Sequence, residues 1–107
     1  MNRVYLIGIM GSGKTHLGRL LAQEMQLSFI DLDEEVAEKE GISVSAIFEQ
    51  FGEDHFRLLE AAELRTTSLR LPDAVIACGG GTPCFHGNMD FMLKHGIVIW
   101  LHPEIET

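Results

Sequence analysis

The chain has 107 residues and a formal net charge of −8, because eight lysine and arginine side chains stand against sixteen aspartates and glutamates. This length predicts a single domain over residues 1–107, and the acidic balance disfavours nucleic acid and anionic membranes as partners. No apolar stretch approaches the roughly 18 residues of a membrane-spanning helix and no signal-peptide pattern is evident, so we expect a cytoplasmic protein. Its expected oligomeric state is a monomer.

The first predicted elements enclose a phosphate-binding motif. Val4–Ile7 is an apolar run of strand length, and leucines at helical spacing predict a helix over Lys14–Met25. The segment from Gly8 to Thr15 fits the P-loop pattern G-x-x-x-x-G-K-[ST] at every fixed position. In such a loop backbone N–H groups and the lysine hold phosphates, and the hydroxyl ligates Mg²⁺. We predict a nucleoside triphosphate site that comprises Gly11, Ser12, Gly13, Lys14, Thr15 and His16.

The next predicted strand, Leu27–Ile30, runs into two aspartates. If Asp31 and Asp33 extend the strand, both carboxylates point to the same side, toward the crevice beside the P-loop. One carboxylate could then lie near Mg²⁺ and the other could take the proton of an alcohol acceptor during phosphoryl transfer. An aspartate after a strand is also typical of a helix cap, and the spacing alone does not separate the two interpretations.

Helical segments are predicted through the middle of the chain. They are Glu34–Glu40, a turn with Ile47, Phe48 and Phe51, and a longer helix over about Glu53–Leu71. Gly41 is a typical C-terminal cap for the first, and Ser43 can cap the second. The glutamates of the first helix are expected to form a solvated face.

Arg57 lies in the longer helix among apolar neighbours. At helical spacing it can pair with Glu53 or Glu60, or its planar fork can receive the carboxylate of a ligand. The residue types alone leave both interpretations open.

A buried strand and a glycine run follow. Ala74–Cys78 is a continuous apolar run, typical of a strand buried on both faces of a parallel sheet. Gly79–Gly81 allow a ligand to approach the backbone and its N–H donors, which favours a binding role over a flexible turn. Cys78 and Cys84 match neither a redox nor a zinc pattern, so both are expected to be reduced thiols, the first of them buried.

The last predicted elements are a helix that Asn88 caps and that ends near His95, and a fourth apolar strand, Ile97–Leu101. Strands that alternate with helices predict an α/β fold, a parallel β-sheet with flanking helices. In such sheets ligands bind beyond the carboxyl ends of the strands. The P-loop, the two aspartates and the glycine run all follow strands, and they are therefore expected to meet.

In order and spacing these motifs resemble the shikimate kinases over the whole chain. The matching residues are the P-loop, Asp31-Leu32-Asp33, Phe48, Gly52-Glu53, Phe56-Arg57, Glu60 and Gly79-Gly80-Gly81. The resemblance implies a P-loop fold of the nucleoside-monophosphate-kinase type. It also implies an enzyme of aromatic amino-acid biosynthesis that transfers the γ-phosphoryl group of ATP to the 3-hydroxyl of shikimate.

The resemblance further implies a role for each matching residue. Lys14 would hold phosphate, Thr15 would ligate Mg²⁺, and Asp31 would reach the metal through water. Asp33 would bind the shikimate hydroxyls and accept the proton, and Arg57 would bind the carboxylate. The implied catalytic residues are thus Lys14, Asp33 and Arg57. The rest of the implied substrate site is Phe48 and Phe56 as walls, with Gly79, Gly80 and Gly81 as backbone N–H donors.

Two departures from the family pattern accompany the resemblance. His16 stands where the family commonly has Ser or Thr. The family's lid arginine, second carboxylate-binding arginine, fifth strand and adenine loop have no counterpart here. We expect the chain to correspond to the N-terminal two-thirds of the enzyme and to turn over poorly by itself.

Other functions of a P-loop domain remain open. A gluconate-kinase-like enzyme would share the fold, although Arg57 and the triple glycine argue against it, because a carboxylate-binding arginine at this spacing resembles the shikimate kinases. A non-catalytic nucleotide-binding remnant is also compatible with the motifs. A guanine-binding switch is disfavoured, because no N-K-x-D motif is present.

Overall fold

The structure is a computed structural model that describes residues 2–8 and 12–101, with side chains for residues 2–8 and 15–101. Its strands are β1 (Asn2–Gly8), β2 (Ser28–Asp31), β3 (Asp73–Ala77) and β4 (Ile97–Leu101). Its helices are α1 (Ser12–Met25), α2 (Leu32–Glu40), α3 (Val44–Phe51), α4 (Glu53–Arg70) and α5 (Asn88–His95), with a 3-10 turn at Thr82–Cys84. All paired strands are parallel, in the order β2-β3-β1-β4, which confirms the predicted parallel α/β sheet.

The core lies on both faces of the two central strands. Tyr5 and Ile7 of β1 point to one face, where they pack with residues of α4 and α5. Val4 and Leu6 point to the other face, toward α1, because side chains alternate along a strand. Ala74–Ala77 of β3 are buried as well, which confirms the prediction of a strand covered on both faces.

β4 occupies one edge of the described sheet. Its run Ile97–Leu101 is as apolar as that of β3, yet Ile97 is 64% and Trp100 61% exposed. An edge strand pairs on one side only, so the same composition yields less burial than in the centre. Hydrophobic composition therefore identified the strand but not its position in the sheet.

Strand register brings the carboxyl ends of three strands together. Ala77 at the end of β3 pairs with Leu6 of β1 on one side and with Asp31 of β2 on the other. The Cys78 N–H then donates to the carbonyl of Leu6 at 2.9 Å. The segments that follow these strands therefore start side by side at one edge of the sheet, as expected from parallel topology.

Helix ends follow the predicted caps with one exception. Gly41 ends α2 with φ of 78°, and the Ser43 hydroxyl accepts from the Ala46 N–H at 3.0 Å. The prediction that Asn88 caps α5 is wrong, because Gly87 is the cap and Asn88 is the first helical residue. The side chain of Asn88 is fully buried and binds the carbonyl of Thr82 instead.

Remaining features agree with the sequence-based expectations. Within residues 2–8 and 12–101 no helix combines the length and apolarity needed to cross a bilayer. Cys78 is buried after β3 and Cys84 is exposed, and neither forms a disulfide bond.

Candidate active site

A cleft of about 150 Å³ lies between α2, α3, α4 and the loop after β3. It brings together all seven residues predicted to bind a substrate. These are Asp33, Phe48, Phe56, Arg57, Gly79, Gly80 and Gly81, and Val44 and Glu60 complete the lining. The predicted residues come from four separate segments of the chain, and the fold makes them neighbours.

Arg57 is held by two carboxylates. Its Nε and Nη2 donate to Oε2 of Glu53 at 3.3 and 3.2 Å, and its Nη1 donates to Oε1 of Glu60 at 3.1 Å. The Arg57 side chain is 13% exposed, whereas that of Glu60 is fully buried. The helical spacing noted in the sequence therefore produces both pairs, and Arg57 still lines the cleft.

Aromatic rings surround the same guanidinium. Its Cζ lies 4.4 Å from the ring centroid of Phe85 and 5.5 Å from that of Phe56. Phe56 packs in turn on Phe48, with ring centroids 4.8 Å apart. These cation–π contacts restrict the guanidinium plane, so its N–H groups are presented in a defined orientation.

The glycine run contacts Arg57 closely. A Cβ placed on Gly81 would lie 2.7 Å from Nη2 of Arg57, closer than a side chain allows. Gly81 has φ of −93°, which any residue adopts, so close approach and not backbone conformation accounts for glycine here. Within the described residues no acceptor is found for the N–H groups of Gly80 and Gly81, and both residues line the cleft.

The segment from Asp31 to Asp33 is not extended, contrary to the prediction. β2 ends at Asp31 and α2 begins at Leu32, so Asp33 lies in the first turn of a helix. Oδ1 of Asp31 accepts from the N–H groups of Asp33 and Glu34 at 3.1 and 3.3 Å, which makes Asp31 the cap of α2. Asp33 lines the cleft, and its two carboxylate oxygens lie 3.5 Å from a Cβ placed on Gly79.

The nucleotide half of the site is described in part. Gly11 and the side chains of Ser12 and Lys14 lie outside the described residues, as do the predicted phosphate contacts of these residues and of Gly13. Thr15 is half-buried near the start of α1 and His16 is exposed. Gly8 opens the motif with φ of 112°, a conformation that favours glycine.

The predicted metal ligands fit Mg²⁺ bound mainly through phosphate and water. No group of three or more His, Cys, Asp or Glu side chains able to hold a metal occurs among the described residues. Mg²⁺ in phosphoryl-transfer sites needs only one or two carboxylates besides substrate phosphates and waters. The carboxylate of Asp31, at the end of β2, and the Thr15 hydroxyl, in the first turn of α1, would be the oxygen ligands for this arrangement.

Sequence reasoning did not identify three residues around the cleft. Val44 lines it, Phe85 contacts Arg57, and Thr82 donates to Glu60 at 2.6 Å. Thr82 directly follows the glycine run, and this adjacency was the only signal for it. Nothing in the spacing of Phe85 relates it to Arg57, 28 positions earlier in the chain.

Comparison with known proteins relates this chain to one family. The family model for shikimate kinase matches residues 10–107. The shikimate kinase of Sulfurihydrogenibium sp. (strain YO3AOP1) is 39% identical over 107 residues, which cover 100% of this chain and 64% of that protein. The shikimate kinase of Phocaeicola vulgatus is 45% identical over 104 residues, 97% of this chain and 59% of that protein. The chain thus spans 59–64% of the length of these two relatives.

Solved structures agree with the sequence relatives. A shikimate kinase from Acinetobacter baumannii in complex with shikimate superposes with a TM-score of 0.90 at 38% identity, over 97% of this chain and 57% of that chain. A gluconokinase from Sinorhizobium meliloti 1021 reaches a TM-score of 0.52 at 19% identity, over 94% of this chain and 56% of that chain, and shares the fold alone. The predicted P-loop kinase fold is thereby confirmed.

Proposed function

We propose, since the chain belongs to the shikimate kinase family, that it binds ATP and shikimate for transfer of the γ-phosphoryl group to the 3-hydroxyl of shikimate. The observation that carries this proposal is the cleft in which Arg57, Asp33 and the glycine run lie together. An acceptor with one carboxylate and several hydroxyls requires a cationic fork, a proton acceptor and accessible backbone N–H groups. The cleft provides these three features.

The carboxylate of the acceptor is assigned to Arg57 and the glycine run. A guanidinium has five N–H donors, and Glu53 and Glu60 engage Nε, Nη1 and one N–H of Nη2. The second N–H of Nη2, beside Gly81, is then the donor that a ligand can reach. Because two carboxylates already offset the Arg57 charge, the backbone N–H groups of Gly80 and Gly81 must supply part of the attraction.

The reacting hydroxyl is assigned to Asp33. Its carboxylate takes the proton of the 3-hydroxyl as the hydroxyl oxygen forms a bond to the γ-phosphorus, and the bond from that phosphorus to the ADP oxygen breaks. Lys14, Thr15 and Asp31 would hold the phosphates and Mg²⁺, and the metal would neutralise charge on the phosphate oxygens. Leu32 separates the two aspartates by one residue, so Asp31 stays at the strand end while Asp33 enters the cleft.

A binding experiment tests the acceptor assignment. The chain is titrated calorimetrically with shikimate, its methyl ester and gluconate, in the presence of a non-hydrolysable ATP analogue. Hydrogen bonds to charged groups contribute about 1.5–3 kcal/mol, so the ester should bind at least about 10-fold more weakly than the acid. Arg57→Lys should abolish this preference, because an ammonium lacks the planar fork.

Other results would favour the other functions. Tighter binding of gluconate than of shikimate would support a gluconate-kinase-like enzyme. Binding of the ATP analogue with no binding of any acceptor would support a non-catalytic nucleotide-binding protein.

A second experiment tests phosphoryl transfer itself. With the chain in excess over ATP and with shikimate and Mg²⁺ present, ³¹P NMR should show a new phosphomonoester signal. Asp33→Asn should slow its appearance by about 10²–10⁴-fold, the usual contribution of a general base. Asp90→Asn, an exposed aspartate on α5, serves as the matched control. Absence of the signal for the unchanged chain, or an undiminished rate for Asp33→Asn, would contradict the corresponding part of the proposal.

A further inference from the structure

We propose that Thr82 is a positioning residue for the acceptor carboxylate, because its hydroxyl holds Glu60 and Glu60 holds the guanidinium of Arg57. This inference rests on the proposed function, which assigns the carboxylate of the acceptor to Arg57. Thr82 does not line the cleft, so its effect on the acceptor passes through Glu60.

Glu60 depends on hydrogen-bond donors because it is buried. Its side chain is fully buried, and a buried carboxylate is stable only when its oxygens accept hydrogen bonds. Oε1 accepts from Nη1 of Arg57 at 3.1 Å, and Oε2 accepts from Oγ1 of Thr82 at 2.6 Å. Oε2 also lies 3.4 Å from Nη1, at the weak end of hydrogen-bond distances. The hydroxyl of Thr82 is therefore the main partner of Oε2 among the described residues.

Removing the hydroxyl of Thr82 would change the hydrogen bonds of Glu60. Oε2 would keep only its long contact with Nη1, and a buried carboxylate in this state gains most by drawing more N–H donors from Arg57. The guanidinium would then turn toward Glu60. Since Nη2 lies against Gly81, this rotation would separate Arg57 from the backbone N–H groups that share the ligand.

Thr82 is held in a fixed position relative to the glycine run. Its N–H donates to the carbonyl of Gly79 at 3.1 Å, and its carbonyl accepts from Nδ2 of Asn88 at 2.8 Å. Oδ1 of Asn88 accepts in turn from Nη1 of Arg65 at 2.7 Å, which fastens the loop to α4. Thr82 thus links the two donor groups proposed for the carboxylate, the backbone after β3 and the guanidinium on α4.

Variants of Thr82 test this inference through the preference for acid over ester, which a general loss of stability would not change. The chain is titrated with shikimate and with its methyl ester, and the ratio of the two dissociation constants is compared. Thr82→Val keeps the shape of the side chain and removes the hydroxyl, whereas Thr82→Ser keeps the hydroxyl and removes the methyl group. Thr66→Val, at an exposed position of α4, is the matched control.

Thr82→Val should reduce the preference for the acid over the ester about 10-fold, the effect of one hydrogen bond to a charged group. Thr82→Ser and Thr66→Val should keep the ratio of the unchanged chain. Equal weakening of acid and ester in Thr82→Val would show a purely structural role and would overturn the inference, as would an unchanged ratio.

If Thr82→Val does not fold, Thr82→Ala replaces it in the same comparison with Thr82→Ser. Failure of both to fold, with Thr82→Ser folded, would assign the hydroxyl to stability and would also overturn the inference. Lack of an acid preference in the unchanged chain would instead contradict the assignment of Arg57, and with it the proposed function.

Discussion

Arg57 shows how single side chains form the candidate site. Its guanidinium is held by Glu53, Glu60 and the ring of Phe85, and it therefore has little freedom to avoid a new neighbour. Gly81 is that neighbour, and its lack of a Cβ lets the glycine run approach Nη2. Specificity for a carboxylate would thus depend on the absence of one carbon atom as much as on the presence of a cation.

Gly81→Ala tests this dependence. The added methyl group would lie 2.7 Å from Nη2, so the guanidinium must move, and we expect the preference for shikimate over its methyl ester to fall about 10-fold. The fold should persist, because φ of −93° is accessible to alanine. Thr66→Val, the exposed control on α4, should keep the preference of the unchanged chain. An unchanged preference in Gly81→Ala would contradict this explanation.

At the scale of elements, α2 depends on the residue that ends β2. Asp31 accepts from two N–H groups that the first turn of α2 leaves without helical partners. The same carboxylate is proposed to face Mg²⁺. One side chain therefore connects the stability of α2 to the position of Asp33 in the cleft.

Substitutions of Asp31 separate these two effects. Asp31→Ala should lower the free energy of unfolding by about 1 kcal/mol, the usual effect of losing an N-cap. Asp31→Asn should lower it less, because the amide oxygen still accepts. Urea unfolding curves measure both, with Glu34→Gln as a surface control.

In the phosphoryl-transfer assay, Asp31→Asn should raise the Mg²⁺ concentration needed for the half-maximal rate, because a neutral amide binds Mg²⁺ more weakly than a carboxylate does. Equal destabilisation by Asn and Ala would contradict the capping role. An unchanged Mg²⁺ requirement would remove Asp31 from the metal site.

At the scale of the whole molecule, the sheet and its helices are joined by buried polar contacts besides the apolar core. The hydroxyls of Tyr5 on β1 and Ser68 on α4 are 2.7 Å apart and buried. Nε of Arg3 donates to the carbonyl of Ser68, and its Nη1 donates to that of His95 at the end of α5. β1 thereby fixes the C-terminal ends of both helices.

Burial raises the pKa of Tyr5 above its usual value near 10, although the hydrogen bond to Ser68 and the charge of Arg3 oppose this shift. Above pH 10 the unfolded chain loses the phenolic proton first, so stability from this group is complete below pH 10 and declines as pH rises through the folded pKa. Tyr5→Phe should cost about 0.5–1.5 kcal/mol at pH 7 and show a shallower decline above pH 10.

Urea unfolding midpoints of the unchanged chain and of Tyr5→Phe, measured between pH 7 and 11, report this difference. All other groups that titrate at alkaline pH are the same in the two proteins. Parallel declines above pH 10 would show that Tyr5 does not contribute to the alkaline loss of stability.

Local patterns in the amino-acid sequence were sufficient for the elements and for part of the cleft. Strand and helix periodicity located β1 to β4 and α1 to α5 within a few residues, since these patterns reflect backbone geometry over short spans. Asp33 and Gly79–Gly81 were singled out because they follow predicted strands, whereas Phe48, Phe56 and Arg57 were placed in the substrate site only by the resemblance to the shikimate kinases.

Other features depended on contacts between distant segments. The edge position of β4 and the sheet order require strand pairing, which no single segment encodes. The cap at Asp31 replaced the extended Asp31–Asp33 segment because α2 starts at Leu32, two residues before the predicted start at Glu34. The bond from Thr82 to Glu60, and the positions of Asn88 and Phe85, join residues 22 to 28 positions apart. Such contacts form only when packing fixes the loop after β3 against α4. The periodicity of the loop or of the helix does not predict how the two segments pack on each other.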